Sequence, residues 1–302
     1  MNKAIAAAIG RQEWQSAYER AAIVPEVPEG FSGVVLDRMP KPDELYVEVG
    51  LQVELRFTAE LLGSAPGTPE VLAEFIAARA KDPELTEEEY RVAKKQAVRV
   101  AGSTPEEELE KGKTIFPAGE VEGIDGDVLF RWSYQLRGHL KSALGQLIEM
   151  GQIMNMTKHA HKGAVDEFLF VYPRRVPYMF NGQPVREPHG VESRALRIES
   201  HLGDRVCIAM SEILDPGTTL KFWIQGVYSD NAKSKKAKFT RKVIEQLLDK
   251  GAESGTGQWR GGGFGTYEWR LLRDVSTYFK SEKGERKPFI LKAWRDAAAA
   301  QA

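Results

Sequence analysis

The sequence predicts an α+β fold, with strands and two amphipathic helices in the order strand, helix, strand, strand, strand, helix, strand. Three observations carry this. Val47, Val49, Leu51, Val53, Leu55 and Phe57 alternate with Glu48, Gly50, Gln52, Glu54 and Arg56, the period of a strand with one buried face. Leu136, Leu140, Ala143, Leu144 and Leu147 recur at helical spacing, as do the apolar residues of "FTRKVIEQLLDKG". Two apolar runs, "DRVCIAMSEIL" and "LKFWIQGVY", flank the turn residues "DPGT".

The elements follow in chain order. "MNKAIAAAIGRQEW" predicts a short helix docked on a neighbouring subunit, because Arg11 and Glu13 interrupt an alanine stretch too short for a signal peptide or membrane span. Residues 22–44 are proline-rich and predict an extended arm, so that 1–44 form an N-terminal helix and arm. The strand from Val47 opens a core spanning 45–272. A helical insertion is expected at about 63–130: Thr68, Pro69 and Glu70 are helix-start residues, and "TPEEELEKGK" begins a second short helix. "FRWSYQLRGHLKSALGQLIEMG" is read as helix, "EFLFVYP" as buried strand, and "ESRALRIESHLGDRV" as an irregular stretch. Thr240 caps the second helix and Gly251 stops it; "GTYEWRLL" is the last strand, and 273–302 form a partly helical tail. With the insertion set aside, this is a ferredoxin-like or RRM-like core with one extra strand.

Composition narrows the function. The 302 residues carry a net charge of −1, which argues against a generally basic protein that coats DNA but leaves room for a local basic groove. One cysteine, Cys207, excludes an intramolecular disulfide and any multi-cysteine metal site, and fits a reducing cytoplasm. No metal or cofactor is expected. The glycines at 255, 257, 261, 262, 263 and 265 follow a helix and lead into a strand, so they are neither a P-loop nor a dinucleotide fingerprint. Hydrolase motifs such as Gly-x-Ser-x-Gly and His-Glu-x-x-His are missing, and Asp125 and Asp127 read as turn formers.

The candidate site residues are cations and rings. In the glycine loop, Arg260 suits a phosphate and Trp259 or Phe264 a stacked base. Arg137 and Lys141 are four apart and share one helix face beside Gly138, whose mid-helix cost of about 1 kcal/mol asks for a contact reason. Arg194, Arg197 and Arg205, with Lys158, Arg174 and Arg175, add guanidinium and ammonium groups that bind phosphates. Each of these has a plainer reading as a solvated face or a core ring.

Three separated stretches, "LRGHLK", "LGDRVCIAMSEIL" running into "PGTTLKFWI", and "GTGQWRGGGFG", together resemble the RAMP superfamily, the RRM-like RNA-binding backbones of CRISPR effector complexes. "QLRGHLK" is similar to that family's Ser-Leu-Lys-Gly-x-x-Arg helix start, with basic residues exchanged and Gln135 in place of the serine. The pattern also resembles stand-alone RAMP-like proteins of tailed phages. The resemblance implies a cytoplasmic, non-catalytic protein that polymerises head to tail on single-stranded RNA, in the host cytoplasm if phage-encoded, with DNA as the other candidate strand and no membrane partner. Phosphate-binding roles would fall on Arg137, Lys141 and the loop around Arg260. The alternatives are a metal-independent RAMP-type endoribonuclease using His139, His159 or His161, and a purely structural assembly protein. Acidic clusters at 82–89 and 106–110 and the basic run 232–242 predict a heterologous contact between subunits.

Overall fold

The alternating run that begins at Val47 is a strand whose inward side chains, Val47 to Phe57, are at most 1% exposed. Each such side chain contributes about 1.5–3 kcal/mol by leaving water. The computed structural model describes residues 26–27, 30–38, 45–66, 113–153, 161–198, 205–229, 238–282 and 285–301. In chain order these begin with β1 (Val34–Leu36), β2 (Leu45–Phe57), β3 (Leu61–Leu62), β4 (Ala65–Pro66), β5 (Thr114–Ile115), β6 (Ala118–Val121) and β7 (Ile124–Trp132). Next come α1 (Ser133–Glu149), α2 (His161–Phe168), β8 (Leu169–Tyr172), β9 (Arg175–Phe180), β10 (Gln183–Pro184), β11 (Gly190–Ile198), β12 (Arg205–Leu214) and β13 (Thr219–Ser229). The chain ends with α3 (Arg241–Ser254), a 3₁₀ turn at Arg260–Gly262, β14 (Tyr267–Asp274), β15 (Thr277–Glu282), β16 (Glu285–Leu291) and α4 (Lys292–Gln301).

The expected core is present. β14 pairs with β2, β2 with β13, and β13 with β8, all antiparallel. Numbered by their order in the motif, these strands lie 4-1-3-2, the arrangement of a split β-α-β plan. Helices α1 and α3 pack on each other and, respectively, on β8 and β14. The apolar stripe read from the sequence, Leu136, Leu140, Ala143, Leu144 and Leu147, is buried in full. On α3, Val243, Ile244, Leu247 and Leu248 face the same core. The other face of the sheet carries no helix among the described residues.

Several expectations are corrected. "DRVCIAMSEIL" is not in the core sheet. It forms β12, which pairs over nine residues with β11 in a second sheet that also holds β3, β4 and β5. The stretch around Arg194 and Arg197, expected to be irregular, is therefore strand β11. Pairing with β12, the next strand in the chain, supplies its backbone hydrogen bonds; its apolar residues do not alternate, so the strand lacked a period-two signal. Most of the expected helical insertion, 67–112, lies outside the described residues, but within its expected bounds 65–66, 114–115, 118–121 and 124–130 are strand. Phe130 to Trp132 belong to β7, and α1 starts at Ser133. Gln135 Oε1 accepts a hydrogen bond from the Trp132 backbone N–H at 3.3 Å, satisfying a donor at the helix start. The tail folds as β15, β16 and α4, extending the main sheet. The N-terminal helix lies outside the described residues, and the described part of the arm contains β1, parallel to β16.

Gly251 does not stop its helix, which runs on to Ser254 and is capped by Gly255 at φ 67°. Gly251 instead lets two groups approach: a Cβ there would lie 2.3 Å from Tyr267 Oη and 2.6 Å from His139 Nε2.

Candidate nucleic-acid interface

The glycine loop is a closed structure. Its base is pinched where the Thr256 N–H donates to the Gly265 carbonyl at 2.9 Å and the Gly265 N–H donates to the Glu60 carbonyl at 2.8 Å. Gly265 has φ +69°, and a Cβ on it would sit 1.8 Å from the Thr256 carbonyl oxygen. Only glycine fits that conformation and that contact. Trp259 takes the left-handed conformation at φ 48°, which side chains rarely adopt.

The loop's rings meet a buried cation. Trp259 stacks on Phe264 with ring centres 5.3 Å apart, and the Arg194 guanidinium lies 5.0 Å from the centre of the Trp259 ring. Gly262 packs against the same ring. Arg194, on β11, is 6% exposed. Its NH2 donates to Ser211 Oγ at 2.9 Å, while Nε and NH1 are buried without a partner. Burial lowers its pKa, opposed only by the charge of Glu192. Ser211 Oγ lies 2.7 Å from Thr114 Oγ1, and Gln258 Oε1 accepts from Thr114 at 3.3 Å, so the polar chain joins the second sheet to the loop. The structure thus brings Arg194, Trp259 and Phe264 together and leaves Arg260 exposed.

A second group forms where β7 hands over to α1. Arg174 lies 5.3 Å and 5.4 Å from the ring centres of Trp132 and Tyr134. Arg175 lies 5.4 Å from Phe130 and 5.5 Å from Trp132, and its NH1 donates to the Glu120 carbonyl at 2.6 Å. Arg137 and Arg174 line a cleft of about 200 Å³ with Ser133, Tyr134, Phe170 and Tyr172. Lys141 differs from its expected role: its ammonium pairs with Asp166 of α2 at 2.7 Å, so a phosphate there would compete with a carboxylate already in place. Arg197 and Arg205 lie on the paired backbone of β11 and β12, opposite Val206 and Ile198. Lys158 lies outside the described residues.

His139 joins α1 to β14. It is buried, its Nε2 lies 3.0 Å from Tyr267 Oη, and Tyr267 Oη donates to the Leu248 carbonyl at 3.3 Å. Burial pushes the His139 pKa down to about 3, and Arg131 and Arg260 press in the same direction. His139 is therefore neutral at physiological pH and set in the core, a structural role rather than that of an acid–base. His161 is also buried, and His159 lies outside the described residues. Asp125 and Asp127 are not in the turn, which is at 122–123, but in strand β7, where they flank Gly126 at φ 73° beside an irregularity in the pairing with β6, and their carbonyls accept from Arg186. Among the described residues no group of three metal-ligating side chains occurs.

Three functional candidates escaped the sequence reading. Arg131 is 5% exposed, with a buried Nε that has no partner. A cation inside the apolar run "DVLFRW" was its signal. Tyr172 and Trp223 sit on the helix-free face, out of phase with their buried neighbours Val171, Phe222 and Ile224. Their parity within each strand was the signal.

Among the described residues no helix is long and apolar enough to cross a membrane. No protein-family model matches the sequence, and no curated protein matches it. Among the solved structures similar to it are two that illustrate the match. One is titled "Type IV-B CRISPR Complex": 12% identity, TM-score 0.35, covering 74% of this chain and 90% of that one. The other is Csc2 of Thermofilum pendens: 12% identity, TM-score 0.30, covering 78% of this chain and 68% of that one. Likeness at these scores carries no functional argument.

Proposed function

We propose that this protein binds single-stranded RNA, non-catalytically, and self-associates head to tail along the strand as a backbone subunit of a CRISPR-related or phage-encoded particle in the cytoplasm. One observation carries the reading. Arg131, Arg137, Arg194 and Arg260 make no ion pair among the described residues, whereas Arg56, Arg241, Arg270, Arg273 and Arg295 each face a carboxylate. A buried guanidinium without a counter-charge is costly. Arg38, Arg186 and Arg286 on the periphery are also without an ion pair among the described residues, but only Arg131 and Arg194 are buried in that state; guanidinium groups kept inside the fold with no carboxylate in contact beside α1 and the glycine loop leave room for an external polyanion. Phosphates supply that charge, and the rings among these arginines suit unpaired bases. Arg174, Arg175, Arg197, Arg205 and Lys158 extend the same track, and Lys141, held by Asp166, contributes less. The acidic and basic segments proposed to join subunits lie largely outside the described residues. At the described end of the basic segment, Arg241 is already held by Glu245 and Asp274, and Lys238 lies over the Tyr228 ring.

The test is binding of a mixed-sequence single-stranded RNA across a salt series, with particle shape followed by electron microscopy. Arg137→Ala and Arg260→Ala should each lower the log–log salt slope by about 0.7. Lys141→Ala should change it less. Wild-type slopes in both arginine variants would remove α1 and the loop from the site. A protein that stays monomeric with RNA would end the assembly reading.

A further inference from the structure

The helix-free face of the core sheet has a hollow at its centre. Register explains it. Along β2, Gly50 is the outward residue opposite Gln225 of β13, flanked by Gln52 opposite Trp223 and Glu48 opposite Val227. Gly50 has no side chain, and the Val275 side chain packs over it, so that a Cβ on Gly50 would meet Val275 Cγ2 at 2.9 Å. Beside that low floor is a cavity of about 370 Å³ lined by Glu48, Gly50, Tyr172, Trp223, Gln225, Val275 and Thr277.

Its wall is unused. Trp223 and Tyr172 are direct cross-strand partners, yet neither ring meets another aromatic ring or makes a side-chain hydrogen bond among the described residues. Tyr172 is 49% exposed. Elsewhere on the same face Tyr46 is spent on Phe279 and Arg286. The side chains of Glu48, Gln225 and Thr277 likewise make no hydrogen bond among the described residues. Tyr172 also walls the cleft that holds Arg137 and Arg174. One ring therefore stands between a cavity of apolar floor and polar edge and a cleft with two cations.

We infer that this cavity is a pocket for a single nucleobase, taken from the strand whose phosphate sits at Arg137 and Arg174. It rests on the reading of the protein as an RNA binder. The base lies on Val275 and Gly50 against Trp223 and Tyr172, and its edge meets Glu48, Gln225 and Thr277. An ionised carboxylate only accepts hydrogen bonds, so Glu48 favours a base with an exocyclic amine over uracil, whose one donor, N3–H, is flanked by two carbonyl oxygens that repel the carboxylate.

The experiment uses protein labelled with fluorotryptophan, the Trp223 fluorine resonance being assigned by its loss in Trp223→Phe. The single-stranded oligonucleotides oligo(C), oligo(A) and oligo(U) are titrated, as are CMP and UMP. The expected result is a shift of the Trp223 resonance with oligo(C), oligo(A) and CMP, a smaller one with oligo(U) and UMP, and convergence of the two classes in Glu48→Gln. Tyr172→Ala and Trp223→Ala should each weaken oligo(C) binding about 5- to 150-fold, the worth of one stacked base. If oligonucleotides bind but the Trp223 resonance stays still and both alanine variants bind as the wild type, the pocket is overturned and RNA binding stands. If no oligonucleotide binds, the RNA reading fails, and the mononucleotides decide the pocket: a CMP-dependent Trp223 shift supports it and no shift overturns it.

Discussion

His139 makes folding sensitive to mild acid. Its pKa is pushed down from 6.5 to about 3 by burial first, and then by Arg131 and Arg260. In the unfolded chain the imidazole titrates near its ordinary value, so between those two pH values the unfolded state holds a proton that the folded state does not. Stability therefore rises with pH across this window and is lost as pH falls through it. The full span is about 5 kcal/mol, of which about 3 kcal/mol is lost by about pH 4.5. Carboxylates also contribute to acid lability, so the measurement is a difference. Wild type and His139→Gln, which keeps a hydrogen-bonding group opposite Tyr267, are unfolded with urea at about pH 7.5 and about pH 4.5. The wild type should lose about 3 kcal/mol more than the variant between the two. Parallel losses would show that His139 is not a buried neutral group and would refute the reasoning.

Three further outcomes follow from the packing. Arg194→Met removes a buried guanidinium that has two orphan nitrogens; thermal stability should hold or rise, by as much as about 1–4 kcal/mol, while RNA affinity falls, and a lowered Tm would mean that the cation is compensated. Gly251→Ala pushes a methyl group to 2.3 Å from Tyr267 Oη; it should destabilise by about 1–3 kcal/mol, and a wild-type unfolding midpoint would contradict that contact. Gly265→Ala breaks the closure of the loop against the Thr256 carbonyl, 1.8 Å from the new Cβ; trypsin should then cut faster after the exposed Arg260, and an unchanged rate would count against a closed loop.

Period and capping were legible without the fold. The β2 alternation and the α1 stripe were read residue by residue, because a side chain's face within one strand or helix depends only on local geometry. Thr240 as a cap was legible for the same reason, and its hydroxyl accepts from the Val243 N–H at 3.2 Å. The clustering of cations and rings near "LRGHLK" and the glycine loop was visible as composition.

What joined them was not. Arg194 and Trp259 are 65 positions apart in the sequence and meet only because β11 pairs with β12 and the loop folds onto that second sheet. Lys141 looked like a phosphate contact until α2 set Asp166 beside it. Gly50 read as one more outward position of a strand, and its hollow exists because β13, β8 and the segment around Val275 flank it. Pairing between strands and the approach of helices are chosen by burial and hydrogen bonding summed over the whole chain. Sequence alone thus determined which faces are apolar and where the cations lie, and only the tertiary structure decided which cations keep a partner, which rings stay bare and where the sheet leaves a cavity.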